Sequence, residues 1–287
     1  MGRQSTVSAV VYSRNEADLL PDCLAAVQDF DEVLVCDMQS TDATRAVAES
    51  FGARVVPVPD APVVEEVRQL GLEASTSDWV LFVDADEHLP AGFRDAVQTV
   101  IDGEPTLAAV RLRYANVAFG VPLEHTLQGS AKYALVRVGR TRYDVPARAH
   151  VPPHFDGGVV DAPESVPEIP HLNFRTVEQS VEKILRYAAN VPARDSRVDG
   201  PFALVRELAR TTVFSGVWRD GRAGFAVVAL HVFGRFYSNL LAAEEAGELD
   251  DRFGRETERR LGFAAGTHRA LLGIRDLARR LARRGRA

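Results

Sequence analysis

The sequence predicts an α/β fold: a mostly parallel sheet with flanking helices, followed by a C-terminal helical region. Three observations carry this. Short apolar runs alternate with helical patterns through the first hundred residues. The runs are continuous in apolar character, as in strands buried on both faces. Beyond Thr176 the pattern is helical throughout.

The elements follow in order. Val7–Tyr12 reads as a strand, and Ser13-Arg14-Asn15-Glu16 opens a helix with Leu19, Leu20, Leu24 and Val27 inward. Glu32–Cys36 is a second strand ending at Asp37, after which Ser40-Thr41-Asp42 caps a helix reaching Ser50. Arg54–Val58 is a third strand. Pro57, Pro59 and Pro62 mark a loop before a helix over Val64–Ala74. Trp79–Val83 is the fourth strand, and Pro90 is placed in the first turn of a helix to Ile101. Strands are then expected at Ala108–Tyr114 and Tyr133–Val138, joined by a loop over Ala118–Lys132. The Pro- and Gly-rich stretch Val145–Pro170 reads as irregular loop. Helices are expected at Val177–Asn190, Phe202–Phe214 and Gly224–Ala243, then a basic amphipathic tail. The division falls at 1–175 for the α/β domain and 176–287 for the helical region.

Hydrophobic residues make up 46% of the 287-residue chain and charged residues 26%, ordinary globular values that argue against disorder and fibrous classes. Cys23 and Cys36 have no metal-ligand spacing and read as core thiols, which suits a reducing cytoplasm. The N-terminal residues lack the apolar stretch of a secretion signal. Charge is uneven. Residues 252–287 hold eleven Arg against Glu256, Glu258 and Asp276, a net +8, against −6 for the whole chain, which leaves −14 for residues 1–251. Only Lys132 and Lys183 are lysines, a bias attributed here mainly to a GC-rich genome. The apolar segment at 225–243 is interrupted by His231 and Arg235. It reads as a buried helix of the C-terminal bundle, with a membrane-surface helix as the alternative.

In parallel sheets ligands bind at the carboxyl ends of the strands, and Ser13, Asp37 and Asp84 all fall there. The fourth strand ends in Asp84-Ala85-Asp86-Glu87. Two carboxylates spaced by one residue on a rigid strand end supply hard oxygen ligands for Mg²⁺ or Mn²⁺, which in turn offset their repulsion. Asp-x-Asp alone is a weak signal, because acidic turns are common.

The order of the motifs is more specific. VSAVVYSRNEADLLPDCLAAV, DEVLVCDMQSTDATRAVAESFGARVV and DWVLFVDADEHLP resemble successive motifs of family 2 glycosyltransferases with the Rossmann-like GT-A fold. HLNFRTVEQSVEKILRYAA and VWRDGRAGFAVVALHVFGRFYSNLL are similar to the branch containing lipopolysaccharide-core β-1,4-glucosyltransferases, so the resemblance spans about residues 6–245. It implies a metal-dependent inverting hexosyltransferase using a nucleotide diphospho-sugar, UDP-sugar favoured, with Mn²⁺ or Mg²⁺ as cofactor. Tyr12, Arg14 and Glu16 would border the nucleotide, Asp37 would contact the base, and Arg68 would lie near the base or diphosphate. Asp84 and Asp86 would address the ribose and the metal, Asp86 more directly, and His171 would complete the metal shell. Glu16 and Asp42 also serve as ordinary helix N-terminal acids.

The chain departs from its relatives on the acceptor side. Where similar proteins carry a His-Glu pair, the favoured register places Arg148 and Ala149 in DVPARAHV. An aromatic-Pro-Asp-Tyr is matched only by Ser130-Ala131-Lys132-Tyr133. With the expected acid absent, His150, Glu124 and His125 are the candidates for the catalytic base. The other readings are a more acidic acceptor, or a nucleotide-sugar-binding protein with weak or no transfer. A haloacid-dehalogenase-type phosphatase also uses Asp-x-Asp after an apolar strand. There the motif opens the first strand and is followed by Thr or Val, whereas here His88 follows the acidic triplet.

The acceptor is expected to be a hydroxyl on a lipid-linked glycan, a secondary metabolite or a protein. In the tail, Arg275, Arg279, Arg280, Arg283 and Arg284 alternate with Leu271, Leu272, Leu277 and Leu281 at helical spacing. Such a helix suits anionic lipid at the inner face of the plasma membrane, or packing on its own domain or on a homodimer partner. Nucleic acid is not expected, because the body is acidic.

Overall fold

The computed structural model describes residues 3–61, 64–126, 130–144, 152–190, 208–211 and 216–247. Its centre is a sheet of four parallel strands, β1 (Val7–Ser13), β2 (Glu32–Asp37), β3 (Arg54–Pro57) and β4 (Trp79–Asp84), in the spatial order β3-β2-β1-β4. β5 (Leu107–Ala118) and β7 (Ala131–Arg137) extend it, with β7 inserted antiparallel between β4 and β5. The predicted α/β, mostly parallel architecture with flanking helices is therefore present.

Burial on both faces explains the continuous apolar runs. Val7, Ala9 and Val11 of β1 and Trp79, Leu81 and Val83 of β4 point to one core. It is shared with Leu20 and Leu24 of α1 (Leu20–Ala26), Ala48 of α2 (Thr44–Ser50) and Val97 of α4 (Phe93–Gly103). Val10, Tyr12, Val80 and Phe82 point the other way, onto Val67 and Leu72 of α3 (Glu65–Ala74). Each fully buried side chain of this kind contributes about 1.5–3 kcal/mol. Both thiols are buried and free, and burial raises Cys36 to about 12, so they are inert core groups as expected.

α3 lies unusually close to β1 at Gly71. A Cβ there would sit 2.2 Å from the Tyr12 hydroxyl and 2.9 Å from Val10. Gly71→Ala is expected to cost about 1–3 kcal/mol, because the buried Tyr12 ring has nowhere to retreat. A thermal melt that moves by less than a degree would refute this.

Several expectations are corrected. Pro90 does not start a helix; its carbonyl accepts the Phe93 amide, and α4 begins only after Gly92, whose φ of 74° breaks the chain direction. The expected loop over Ala118–Lys132 is partly structured. β5 runs on to Ala118 and turns through Phe119 (φ 53°) and Gly120 (φ 77°) into β6 (Val121–Pro122), the paired left-handed residues of a tight hairpin. The stretch 152–170 is not irregular throughout. β8 (Thr141–Arg142) pairs with β9 (His154–Phe155), β10 (Gly158–Asp161) runs parallel to β5, and β11 (Ile169–Phe174) starts inside it. These strands are short and β10 is wholly exposed, so pairing on β5 forms β10 and β11, the former aided by the 2.6 Å Arg111–Asp161 ion pair, while β8 and β9 form on each other. His171 accordingly sits within β11.

The helical region contains α5 (Val177–Asn190), a short 3₁₀ turn at Val217–Asp220 and α6 (Gly221–Glu245). Residues 208–211 are helical; the rest of the expected Phe202–Phe214 helix and the basic tail lie outside the described residues. α5 and α6 meet closely at Gly234, where a Cβ would lie 2.5 Å from Ile184. Val227 joins Ala118, Leu123 and Phe174 in a small apolar cluster that ties α6 to the sheet. The span Val217–Glu245 is long and apolar enough to cross a membrane by length and composition, and only 22% of its most apolar stretch is buried. The expected buried helix over 225–243 is therefore buried only in part: Val227, Val228, Val232, Gly234 and Ala243 are covered, while Phe225 and Phe233 are exposed.

Candidate functional site

The carboxyl ends of β1, β2 and β4 lie side by side, with Ser13 in register with Asp37 and Tyr12 with Asp84. The loops after β1 and β2 clasp each other. Asn15 Oδ1 accepts the Thr41 amide at 2.7 Å, the Asn15 amide donates to Ser40 Oγ at 3.0 Å, and both Asn15 (φ 54°) and Gln39 (φ 59°) are left-handed. Non-glycine residues held so are strained, a feature that concentrates at ligand sites. Asp37 is buried and accepts the Ser40 amide at 3.0 Å. Asp42 accepts the amides of Thr44 and Ala17 at 2.9 and 3.2 Å, which accounts for it as a loop clamp.

The remaining residues expected at the nucleotide divide. Tyr12 is buried with its hydroxyl donating to the Arg68 carbonyl at 3.2 Å, so it positions α3. Arg14 pairs with Asp60 at 2.7 Å. Glu16 accepts from Ser13 Oγ at 3.2 Å, and burial followed by the nearby Asp86 charge raises its carboxyl to about 7. Arg68 is buried over the Phe82 ring at 5.2 Å, with Nε unpartnered among the described residues. Burial opposes its charge, but Tyr143, Asp84 and Glu65 more than offset this and keep it cationic.

Glu16 yields a pH prediction. Its folded value lies above the ordinary carboxyl value of 4.5. Its contribution to stability is therefore complete below pH ~4.5 and is lost as pH rises through about 7. Without divalent ions, Glu16→Gln is expected to be more stable than wild type by roughly 1–3 kcal/mol at pH 8, with no gain at pH 4.5. Denaturant midpoints at the two pH values check this.

The acidic end of β4 is stitched to β11. The Leu172 amide donates to Asp86 O at 2.8 Å, the His88 amide to Pro170 O at 3.0 Å, and Glu87 bridges to His171. His171 is thus brought to both aspartates: its Nε2 lies 3.4 Å from Asp86 Oδ1, and it shares a donor cluster with Asp84 that does not include Asp86. The structure adds three groups. Glu87 is 1% exposed and accepts the Asp84 amide at 3.1 Å. Lys132 Nζ lies 3.0 Å from Asp84 Oδ2, contacts Glu87 Oε1 and sits 4.6 Å over the Tyr114 ring. Lys183 Nζ lies 3.3 Å from Asp86 Oδ2 and 3.2 Å from Asn173 Oδ1. Both lysines of the chain therefore serve this cluster. The scarcity of lysine was the available sequence signal for these two positions.

Burial would raise Asp84, but Lys132, Arg68 and His171 outweigh it and hold the carboxylate well below its usual range. Burial likewise opposes ionisation of Asp86, yet the His171 hydrogen bond and Lys183 hold it at about 2. Burial and the Asp84 charge push Glu87 up to about 7 against the pull of Lys132. Among the described residues, Asp84, Glu87 and His171 each present a ligand atom within 4.8 Å of one another. Opposite donors on an octahedral Mg²⁺ stand about 4.2 Å apart. Adjacent donors stand about 3.0 Å apart, so these two carboxylates and the imidazole are a donor set of the right chemistry for a hard divalent cation that would have to draw together to share one.

A cavity of about 680 Å³ opens beside this cluster. Arg68, Asp84, Lys132 and Tyr143 wall it on the sheet side, and Lys183, His231 and Arg235 on the helical side. Glu124 and His125 do not line it. Their amides donate to Asp220, Glu124 at 3.0 Å, anchoring the loop on the start of α6. His150, with Arg148 and Ala149, lies outside the described residues.

Residues 8–150 match the model of the family described as glycosyl transferase family 2. The chain carries a family 2 glycosyltransferase domain. The lipopolysaccharide core biosynthesis glycosyltransferase LpsC of Rhizobium meliloti is 23% identical over 252 residues, covering 83% of this chain and 91% of that protein. A TPR repeat-containing protein of Synechococcus elongatus is 36% identical over 141 residues, 48% of this chain and 32% of its own length. This match and those to Rickettsia glycosyltransferases span about a third of the relatives' length. Among solved structures, the mannosyltransferase PcManGT of Pyrobaculum calidifontis, in complex with GDP-Man and Mn²⁺, is similar at TM-score 0.43 and 18% identity, over 91% of this chain and 81% of that one. S. aureus TarS 1–349 is similar at TM-score 0.45 and 16% identity, over 90% and 92%. The family 2 domain has its β1, β2 and β4 ends at the crevice described above.

Proposed function

We propose that the chain is an inverting hexosyltransferase moving a sugar from a nucleotide diphospho-sugar, UDP-sugar favoured, to a hydroxyl acceptor. The observation that carries this reading is the junction of a family 2 segment with a cavity walled by both Arg68 and Asp84. Asp37 is assigned to the base, Asp84 to the ribose and Arg68 to the diphosphate, whose charge a buried guanidinium suits. Glu16 and Arg14 border the crevice. Asp84, Asp86, Glu87 and His171 would hold Mn²⁺ or Mg²⁺. When bound, the ion supplies charge neutralisation on the departing diphosphate.

For the base we favour His150, since Tyr143 and Pro152 on either side of its segment line the cavity while Glu124 and His125 do not. We assign 1–175 as the catalytic domain and 176–287 as a helical region that closes the cavity. A lipid-linked glycan is the favoured acceptor, on the likeness to LpsC along most of the chain. The exposed Trp218, Phe225 and Phe233 and the basic tail suit contact with the cytoplasmic face of a membrane.

Hydrolysis of a panel of UDP-, GDP- and dTDP-sugars, with and without Mn²⁺, tests this. Mn²⁺-stimulated turnover of a UDP-sugar is expected. Tight UDP binding without turnover would instead make the chain a nucleotide-sugar-binding protein. Nucleotide affinity unchanged by Mn²⁺ would refute the metal assignment.

A further inference from the structure

The lysine on β7 occupies ground that a metal would need. Lys132 Nζ is 3.0 Å from Asp84 Oδ2 and touches Glu87 Oε1, and both residues belong to the three-donor cluster with His171. The Tyr114 ring backs the ammonium at 4.6 Å, so it is held in a three-sided seat. A divalent ion bonded to Asp84 Oδ2 at about 2.1 Å would stand no more than about 5 Å from that ammonium. With two positive centres so close in a partly buried site, the carboxylates cannot hold both at full strength.

We propose that Lys132 is a tethered counter-cation for Asp84 and Glu87, which a divalent ion must displace to bind. The side chain also lines the cavity, so the displaced ammonium enters space assigned to the diphosphate. An anionic nucleotide rewards that displacement, and by reciprocity the metal and a nucleoside diphosphate strengthen each other's binding. This inference rests on the metal reading above and concerns this chain's own lysine.

The test is Mn²⁺ binding followed by electron paramagnetic resonance, for wild type, Lys132→Gln and Lys132→Arg, with and without UDP. Without UDP, Lys132→Gln is expected to bind Mn²⁺ at least ~10-fold more tightly than wild type, and Lys132→Arg, which keeps the charge, as weakly as wild type. UDP is expected to tighten Mn²⁺ binding more in wild type than in Lys132→Gln. Equal Mn²⁺ affinity of wild type and Lys132→Gln, where both bind, overturns the proposal and leaves the metal reading standing. Absence of Mn²⁺ binding in every protein, even with UDP, overturns both.

A wild-type measurement covers the case in which the variants do not fold. Lysine labelled with ¹³C at the ε-carbon gives only two side-chain signals in this chain, assigned with Lys183→Arg. Mg²⁺ with UDP is expected to shift the Lys132 signal. A Lys132 signal unmoved at saturating Mg²⁺ and UDP overturns the displacement.

Discussion

Glu87→Ala is expected to destabilise the fold by about 3–5 kcal/mol, the cost of stripping one partner from a buried ion pair. Glu87 is 1% exposed and its two oxygens serve different groups. One accepts the Asp84 amide, keeping the strand end from fraying; the other faces the Lys132 ammonium. Truncation leaves a buried amide without its acceptor and a lysine with Asp84 alone. Glu87→Gln keeps an oxygen for the Asp84 amide but no charge for Lys132, so an intermediate loss is expected. Chemical denaturation at pH 8 is the measurement, above the value of about 7 to which burial and Asp84 raise this carboxyl. A loss below ~1 kcal/mol for Glu87→Ala would show that the acid is dispensable to the fold.

Asp86→Ala is expected to do the reverse, sparing the fold and lowering transferase turnover by at least ~10²-fold, the usual cost of one pre-set electrostatic group. The backbone bond from Leu172 to the Asp86 carbonyl survives the substitution, so the seam with β11 persists. What is lost is the carboxylate that gathers His171 at 3.4 Å and Lys183 at 3.3 Å, together with the proposed metal ligand. Circular dichroism should be unchanged while Mn²⁺-dependent UDP affinity falls. Full turnover in a folded Asp86→Ala would remove Asp86 from the site.

Much of this was readable from residues near one another in sequence. Val7–Ser13 and Trp79–Asp84 declare themselves because both faces are buried, which leaves no polar alternation. Asp84 and Asp86 declare themselves because acids at a core strand's end are costly without a purpose. Other features were hidden by distance. Lys132 meets Glu87 across 45 positions, and nothing in Ala131-Lys132-Tyr133 announces that meeting. Glu87 could not be told from a turn acid, because its partners His171 and Lys132 are distant in sequence. β9 and β10 have almost no apolar pattern, because their neighbours form them. Tyr12 was assigned to the nucleotide on resemblance; the two-residue period of β1 instead aims it under α3.

Lys183 lies on α5, nine residues beyond the end of the seam strand, yet it faces Asp86 just past the carboxyl end of β4. The α/β half and the helical half are thus not electrically separable. A fragment ending at residue 175 would keep every carboxylate of the cluster and surrender one of its two lysines. Grafting this α/β half onto a foreign helical cap would carry an acidic surplus with it, unless the new cap supplied a cation at the same place.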